Sequence, residues 1–129
     1  LYMSINFLIV ILSIVCEGSM SGKFEIYKDS AGEFRFRLKA ANGQNILASE
    51  GYTAKANCEN GIDSVKTNSP YDSQYERKET SAGKYMFNLK AMNHQVIGTS
   101  QSYESSASRD KGIESVKTNA PNAPIEDLT

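Results

Sequence analysis

Apolar and polar residues alternate strictly along Phe34-Arg35-Phe36-Arg37-Leu38-Lys39-Ala40. A period of two places Phe34, Phe36, Leu38 and Ala40 on one face of a strand and Arg35, Arg37 and Lys39 on the other. A strand covered on both sides would read apolar throughout, so this one predicts a sheet with one face open to water. Residues 24–28 alternate as well and reach it through Asp29-Ser30-Ala31-Gly32, a turn whose glycine supplies the positive φ. Asn42-Gly43 signals a hairpin into a third strand over 44–50. The period then changes. Cys58, Ile62 and Val65, with Gly61 on the same side, fall at helical spacing within 54–67, with Thr53 as the expected N-cap. Lys66 suits the last turn, Asn68 suits a left-handed residue just past it, and Pro70 forbids continuation. Gly61 costs about 1 kcal/mol relative to Ala in a helix interior, so close packing against the sheet or another helix is expected there.

The whole pattern is then written again. Gly61-Ile62-Asp63-Ser64-Val65-Lys66-Thr67-Asn68-Ser69-Pro70 returns as Gly112-Ile113-Glu114-Ser115-Val116-Lys117-Thr118-Asn119-Ala120-Pro121. Residues 24–70 lie over 75–121 without a gap, and about 22 of the 47 pairs are identical, which makes this one supersecondary unit in two copies. The second copy predicts strands over 75–80, 84–92 and 95–101 and a helix over 104–117. Its inward residues are Tyr85, Phe87, Leu89 and Ala91, then Ile113 and Val116. Two departures stand out: Arg109 replaces Cys58 on the helix stripe, and Met86 and Asn88 replace Arg35 and Arg37 on the open face. The acidic tail, 122–129, is expected to add an edge strand or to fray. A unit of about 50 residues is marginal alone, so both copies are expected to share one core in a single domain over 20–129. The class is α+β, from tandem β-β-β-α repeats.

Composition alters this picture little. A formal net charge of −1 implies no general attraction to nucleic acid or anionic membrane. Cys16 and Cys58 imply no disulfide framework, and a reducing, cytoplasmic setting fits best. Residues 1–19 hold the one strongly hydrophobic run, 5–15, too short to span a bilayer. It lacks a preceding Lys or Arg and is followed by a poor cleavage site, so a signal-like segment is the weaker reading. The chain begins with Leu1, and Glu17-Gly18 ahead of Met20 can be encoded by a purine tract of the kind that precedes a bacterial start. Residues 1–19 are therefore read as a non-native upstream leader.

With the repeat assembled, the chain resembles the YegP family of small bacterial proteins of unknown function. The resemblance covers 20–129 and rests on residues 34–43, on Asn88-Leu89-Lys90-Ala91 with Asn93-His94-Gln95, and on Gly61-Ile62 with Gly112-Ile113. It implies one antiparallel sheet with two helices packed on one face, and it allows terminal strands to exchange between the halves. Single-repeat relatives would reach the same shape as dimers. It implies no activity. The leader departs from the family pattern, which normally begins near Met20.

No catalytic, metal or cofactor site is expected. His94 stands alone at a hairpin tip, where the first copy has Gly43, and no second His or Cys lies at a ligand spacing. Cys58 falls on a buried stripe. Polar pairs shared by the copies are Lys39 and Lys90, Gln44 and Gln95, Ser49 and Ser100, and Tyr52 and Tyr103. They read first as solvated positions and a tyrosine packing at the strand-to-helix corner. The sharper reading makes Arg35, Arg37, Lys39 and Lys90, with Tyr27 nearby, a binding face. These cations contribute little to folding, with acids such as Glu25 or Glu50 neutralising part of the cluster. The expected function is a monomeric, pseudo-two-fold, non-enzymatic module contacting an unknown protein or small ligand, with no membrane role. The alternative is an anionic-ligand or single-stranded nucleic-acid binder, the nucleic acid being disfavoured because the central aromatics point inward. An enzyme of unknown activity ranks third.

Overall fold

The computed structural model describes residues 22–129. The expectations for residues 1–19 lie outside the described residues. Strands β1 (Lys23–Lys28), β2 (Phe34–Lys39) and β3 (Asn45–Ala48) lead into helix α1 (Lys55–Asn68). A short 3-10 turn, Asp72–Gln74, opens the second copy. It comprises β4 (Tyr75–Glu79), β5 (Tyr85–Lys90), β6 (Val96–Thr99) and α2 (Ser106–Asn119), and β7 (Ile125–Asp127) closes the chain.

All seven strands join one sheet in the order β4-β5-β6-β3-β2-β1-β7. The two copies meet at β3 and β6, where Ala48 faces Thr99. Every pairing is antiparallel except the last, in which β7 runs parallel to β1. That exception follows from the connection. The chain leaving α1 enters the second half as β4. The chain leaving α2 crosses to the first half, finds β1 already in the corresponding place, and lies outside it. The tail thus forms the expected edge strand, exchanged onto the other half.

The helices sit on one face and straddle the boundary: α1 packs on β2, β5 and β6, and α2 on β3 and β5. Phe24, Ile26, Phe36 and Leu38 meet Cys58, Ile62 and Val65, and continue into Phe87, Leu89, Ile113 and Val116 as one buried cluster. Phe34 and Ala40 are half-buried against it. Gly61 and Gly112 show why the helix stripe needs a glycine. A Cβ at 61 would stand 2.8 Å from the Tyr52 hydroxyl and 3.0 Å from Cε2 of Phe36, and one at 112 would collide with the Tyr103 hydroxyl. The shared tyrosines pack at the strand-to-helix corner, each closing an isolated bridge to the start of the long strand, Phe34 with Tyr52 and Tyr85 with Tyr103.

The helix ends differ from the sequence expectation. Thr53 is not the N-cap of α1; Ala54 is, and it has no side-chain cap bond. In α2 the equivalent Ser105 accepts from the Ser108 N–H at 3.0 Å. Ala54→Ser should therefore raise stability by about 0.5–2 kcal/mol, read as a higher melting temperature. No gain would show that the first turn of α1 is already satisfied. Asn68 and Asn119 are not left-handed residues past the helix. They are its last helical residues, and each Nδ2 donates at 2.8 Å to the carbonyl four residues back, on Ser64 and Ser115. The next residues, Ser69 and Ala120, stay right-handed. The left-handed non-glycine residue among those described is His94, with φ of 72°, at the hairpin tip where Gly43 has 86°.

The tail also explains why the copies differ. Beneath the β1–β7 edge, Ile26 and Cys58 are fully buried. Their counterparts Arg77 and Arg109 lie at an edge that, among the described residues, no eighth strand covers. There Arg109 stacks 5.5 Å over Tyr85, and both arginines pair with Asp110.

Candidate functional site

One row of side chains crosses the open face. Strand register aligns Glu126, Glu25, Arg37, Ala48, Thr99, Asn88 and Glu76, one from each strand. The local pseudo-two-fold passes between Ala48 and Thr99. The two glutamates shared by the copies, Glu25 and Glu76, stand at equivalent places in it. Sequence reasoning left them out of the shared polar pairs, although their identity in both copies was a usable signal.

The structure places all four candidate cations, Arg35, Arg37, Lys39 and Lys90, on this face, and each is ion-paired. Arg35 Nε meets Asp29 at 2.6 Å, and its Nη1 donates to the Ser49 carbonyl at 3.2 Å. Arg37 Nε donates to Glu25 at 2.7 Å. Its guanidinium lies 4.3 Å over the Tyr27 ring. Lys39 reaches the same Glu25 oxygen at 3.4 Å, and Lys90 reaches Glu76 at 3.4 Å. In the second copy Asn88 takes the place of Arg37: its Nδ2 donates to Glu76 at 3.0 Å, and its Oδ1 accepts from Thr99 at 2.9 Å. The row is therefore two polar networks, one in each half, separated by the apolar Ala48 beside Thr99 at its centre.

Glu25 is buried, with 5% of its surface exposed, although it faces the open side. Lys23, Arg37 and Lys39 all lie within ion-pair distance of it. The Arg37 hydrogen bond, more than the Lys39 one, holds its carboxyl below the usual value. Asn88 does the same for Glu76. Glu25 neutralises Arg37 and Lys39, while Asp29 serves Arg35 and Glu76 serves Lys90, and Arg37 is more than a solvated cation. Arg37→Ser should lower stability by about 1–3 kcal/mol at neutral pH, because it leaves a buried carboxylate short of its main donor. A depressed pKa contributes stability above the ordinary value, 4.5 here, and loses it as pH falls through the folded value. Arg37→Ser should therefore also flatten the acid limb of a melting-temperature profile. An unchanged profile would show that Lys23 and Lys39 suffice.

The other shared polar residues serve the frame. Ser49 Oγ accepts from the Phe36 N–H at 2.9 Å and donates to the Glu50 carbonyl at 2.8 Å. Ser100 repeats this with Phe87 and Gln101. Each serine supplies a ladder bond at the end of a short strand. Gln44 and Gln95 are exposed next to their hairpin turns. Cys58 is fully buried, and burial pushes its thiol up to about 11, away from nucleophilic use. His94 projects from an exposed turn. Among the described residues, no group of three His, Cys, Asp or Glu is placed to hold a metal, and no helix is long and apolar enough to cross a membrane.

Comparison with known proteins agrees with the doubled architecture. The domain of unknown function DUF1508 matches twice, at residues 29–76 and 81–127. Each match starts in the turn before the long strand and ends in the strand after the helix, so β4 and β7 are corresponding ends of the two copies. A UPF0339 protein from the ptx operon 5′ region of Stutzerimonas stutzeri is 69% identical over 109 residues, covering 84% of this chain and 98% of the relative. The UPF0339 protein YegP of Escherichia coli K12 is 53% identical over 110 residues, covering 85% of this chain and 100% of YegP. The solution NMR structure of E. coli YegP, a protein of unknown function, superposes with a TM-score of 0.81 at 53% identity, covering 85% of this chain and 95% of that one. A UPF0339 protein from Shewanella oneidensis gives 0.80 at 53% identity, covering 85% and 93%. With the family matched twice and relatives of this identity aligned over nearly their whole length, the chain belongs to the YegP family of UPF0339 proteins, whose members have no established function.

Proposed function

We propose that the protein is a monomeric, non-enzymatic cytoplasmic module that acts by binding a protein or small ligand through its open sheet face. The observation that carries this reading is the polar row. Its groups are held by one another across the strands, so the face is preorganised, and little ordering cost attends a contact with it. Lys23, Arg35, Arg37, Lys39, Lys78 and Lys90 outnumber the acids Asp29, Glu25, Glu76 and Glu126 around it, which favours an acidic partner. Tyr27 is stacked beneath Arg37, which weighs against a single-stranded nucleic acid needing a free ring on this face.

Lys39→Ser with Lys90→Ser is the informative variant, since it removes two cations and leaves the Arg37–Glu25 bond intact. Binding of a polyglutamate peptide and of a single-stranded oligonucleotide would be measured at two salt concentrations beside a melting curve. Salt-sensitive peptide binding by the parent chain, weakened at least several-fold in the variant at a nearly unchanged melting temperature, is the expected result. Binding of the oligonucleotide alone would transfer the face to nucleic acid. Absence of salt-sensitive binding to both would remove the face from consideration, and a turnover abolished by His94→Ala would overturn the non-enzymatic reading.

A further inference from the structure

Asn-Gly occurs at Asn42-Gly43 and at Asn60-Gly61, and the structure treats the two pairs in opposite ways. The first pair is the tip of the β2–β3 hairpin, with both residues exposed. Gly43 has φ of 86°, and its N–H donates to the Ala40 carbonyl at 2.9 Å. The Ala40 N–H donates to the Gln44 carbonyl at 2.9 Å, and Asn42 Oδ1 accepts from the Gln44 N–H at 3.0 Å. The second pair lies inside α1. Asn60 is exposed there, but Gly61 is buried, with Phe36 and Tyr52 packed where a side chain would stand. The second copy adds a matched control, because Asn93-His94 forms the same exposed turn. The His94 N–H donates to the Ala91 carbonyl at 2.9 Å, and Asn93 Oδ1 accepts from the Gln95 N–H at 3.0 Å. His94 has φ of 72°, close to that of Gly43. The two turns share exposure, backbone shape and hydrogen bonds. They differ in the residue that follows the asparagine.

That residue decides a reaction of the asparagine amide. Once the next backbone nitrogen loses its proton to water or hydroxide, it can attack the asparagine Cγ. A bond from N to Cγ forms, the bond from Cγ to Nδ2 breaks, and Nδ2 leaves as ammonia with a proton from water. Water then opens the five-membered imide. Breaking its bond from N to Cγ leaves aspartate. Breaking its bond from N to the main-chain carbonyl carbon leaves isoaspartate, with the chain continuing through Cγ. No oxidant or cofactor is consumed. The attacking nitrogen must be uncrowded, which glycine allows because it has no Cβ. The asparagine backbone must also rotate until nitrogen and Cγ meet. This is a local opening, which costs little at an exposed hairpin tip and approaches global unfolding inside a packed helix. At 42–43 it breaks the turn bond from Gly43 to Ala40. At 60–61 it breaks the ladder of α1 where the helix lies on Phe36 and Tyr52. At 93–94 the opening is equivalent, but the His94 side chain crowds the nitrogen.

We propose that Asn42 is a site of spontaneous deamidation, which converts the β2–β3 turn to aspartate and isoaspartate forms while Asn60 and Asn93 stay intact. The two products have different consequences. Aspartate keeps an oxygen that accepts from Gln44, and it adds a negative charge three residues after Lys39. Isoaspartate also adds a backbone atom between Ala40 and Gln44, so the bond that closes the hairpin is lost. The site stands independently of any partner on the open face.

The full chain would be incubated at mildly alkaline pH and physiological temperature beside an acetylated peptide of residues 39–46. Peptide mapping by mass spectrometry follows the replacement of each amide by a carboxylate. Methyl transfer from S-adenosylmethionine by an isoaspartyl methyltransferase counts the isoaspartate. Asn42 should convert more slowly than the peptide, by the fraction of time the turn is open, and about tenfold or more faster than Asn60. Gly43→His should slow Asn42 severalfold. His94→Gly should make Asn93 a second site at a nearly unchanged melting temperature. Asn42→Asp should melt as the parent chain does, whereas the isoaspartate fraction should show faster hydrogen exchange at the Ala40 amide. Asn42 intact after the peptide has fully converted, or Asn93 converting as fast as Asn42 in the parent chain, would overturn the proposal. Asn60 keeping pace with Asn42 would do the same, by making global unfolding the route. So would an Asn93 that stays intact in His94→Gly, by denying the following residue its part.

Discussion

A fragment of residues 20–72 should not fold as a monomer. It holds β1, β2, β3 and α1, but α1 also packs on β5 and β6, which the fragment lacks. Ile62 and Val65 would lose part of their cover, and β3 would become an open edge where Ala48 now faces Thr99. Ile26 and Cys58 would lose β7 as well. About 50 residues bury too little apolar surface to offset chain entropy. At micromolar concentration the circular dichroism should be that of an unfolded chain. At higher concentration two fragments should associate through β3, each supplying what the missing half supplies, so that folding and dimerisation appear together in sedimentation. A well-folded monomeric fragment would show that each copy has its own core.

How much of this was legible depended on the range of the interaction. The alternation from Phe34 to Ala40 was enough to place the inward residues of β2, because a strand's two faces are local information. The gapless repeat carried that reading to Phe87 and Leu89. The cap of α1 was missed by one residue, since Thr53 and Ala54 differ by a backbone turn that the pattern does not register. The role of Asn68 was misread because an asparagine suits both a left-handed residue and a bond to the carbonyl four residues back. Glu25 was named as a neutralising acid, but its burial was not visible. That burial needs Arg37 from the neighbouring strand as its main donor and β7, from the far end of the chain, laid alongside. The parallel β7 was hidden for the same reason: its place is set by β1 having already filled the position that α2 leads to.

Phe36→Ala and Phe87→Ala should each destabilise the protein by about 3–5 kcal/mol, the range for a fully buried aromatic ring cut to a methyl group. Both rings have no exposed surface. Phe36 lies edge to face with Phe24, centroids 5.9 Å apart at 76°, and Phe87 with Tyr75 at 5.7 Å and 65°. The two substitutions are equivalent by repeat, but their surroundings are not. Phe24 lies under the covered edge, whereas the Tyr75 hydroxyl is fixed to the Ser69 carbonyl at 2.7 Å and borders the open one. The cavity should therefore collapse more readily around Phe36, where no hydroxyl anchors the neighbouring ring, and Phe87→Ala should fall toward the upper end of the range. The close approach of Phe36 to Gly61 gives a sharper check. A Cβ at 61 would meet both Cε2 of Phe36 and the Tyr52 hydroxyl, so Gly61→Ala should destabilise the parent chain despite its better helix propensity. With Phe36 already cut to Ala, one of the two obstacles is gone and the added methyl partly fills the space. Gly61→Ala should then cost less by about 1 kcal/mol or more, within the range of coupling seen between contacting residues. Denaturant unfolding of the parent, the two single variants and the double variant measures that coupling. Additive effects would mean that Tyr52 alone dictates the glycine, and a Phe36→Ala cost below about 1 kcal/mol would remove this ring from the shared core.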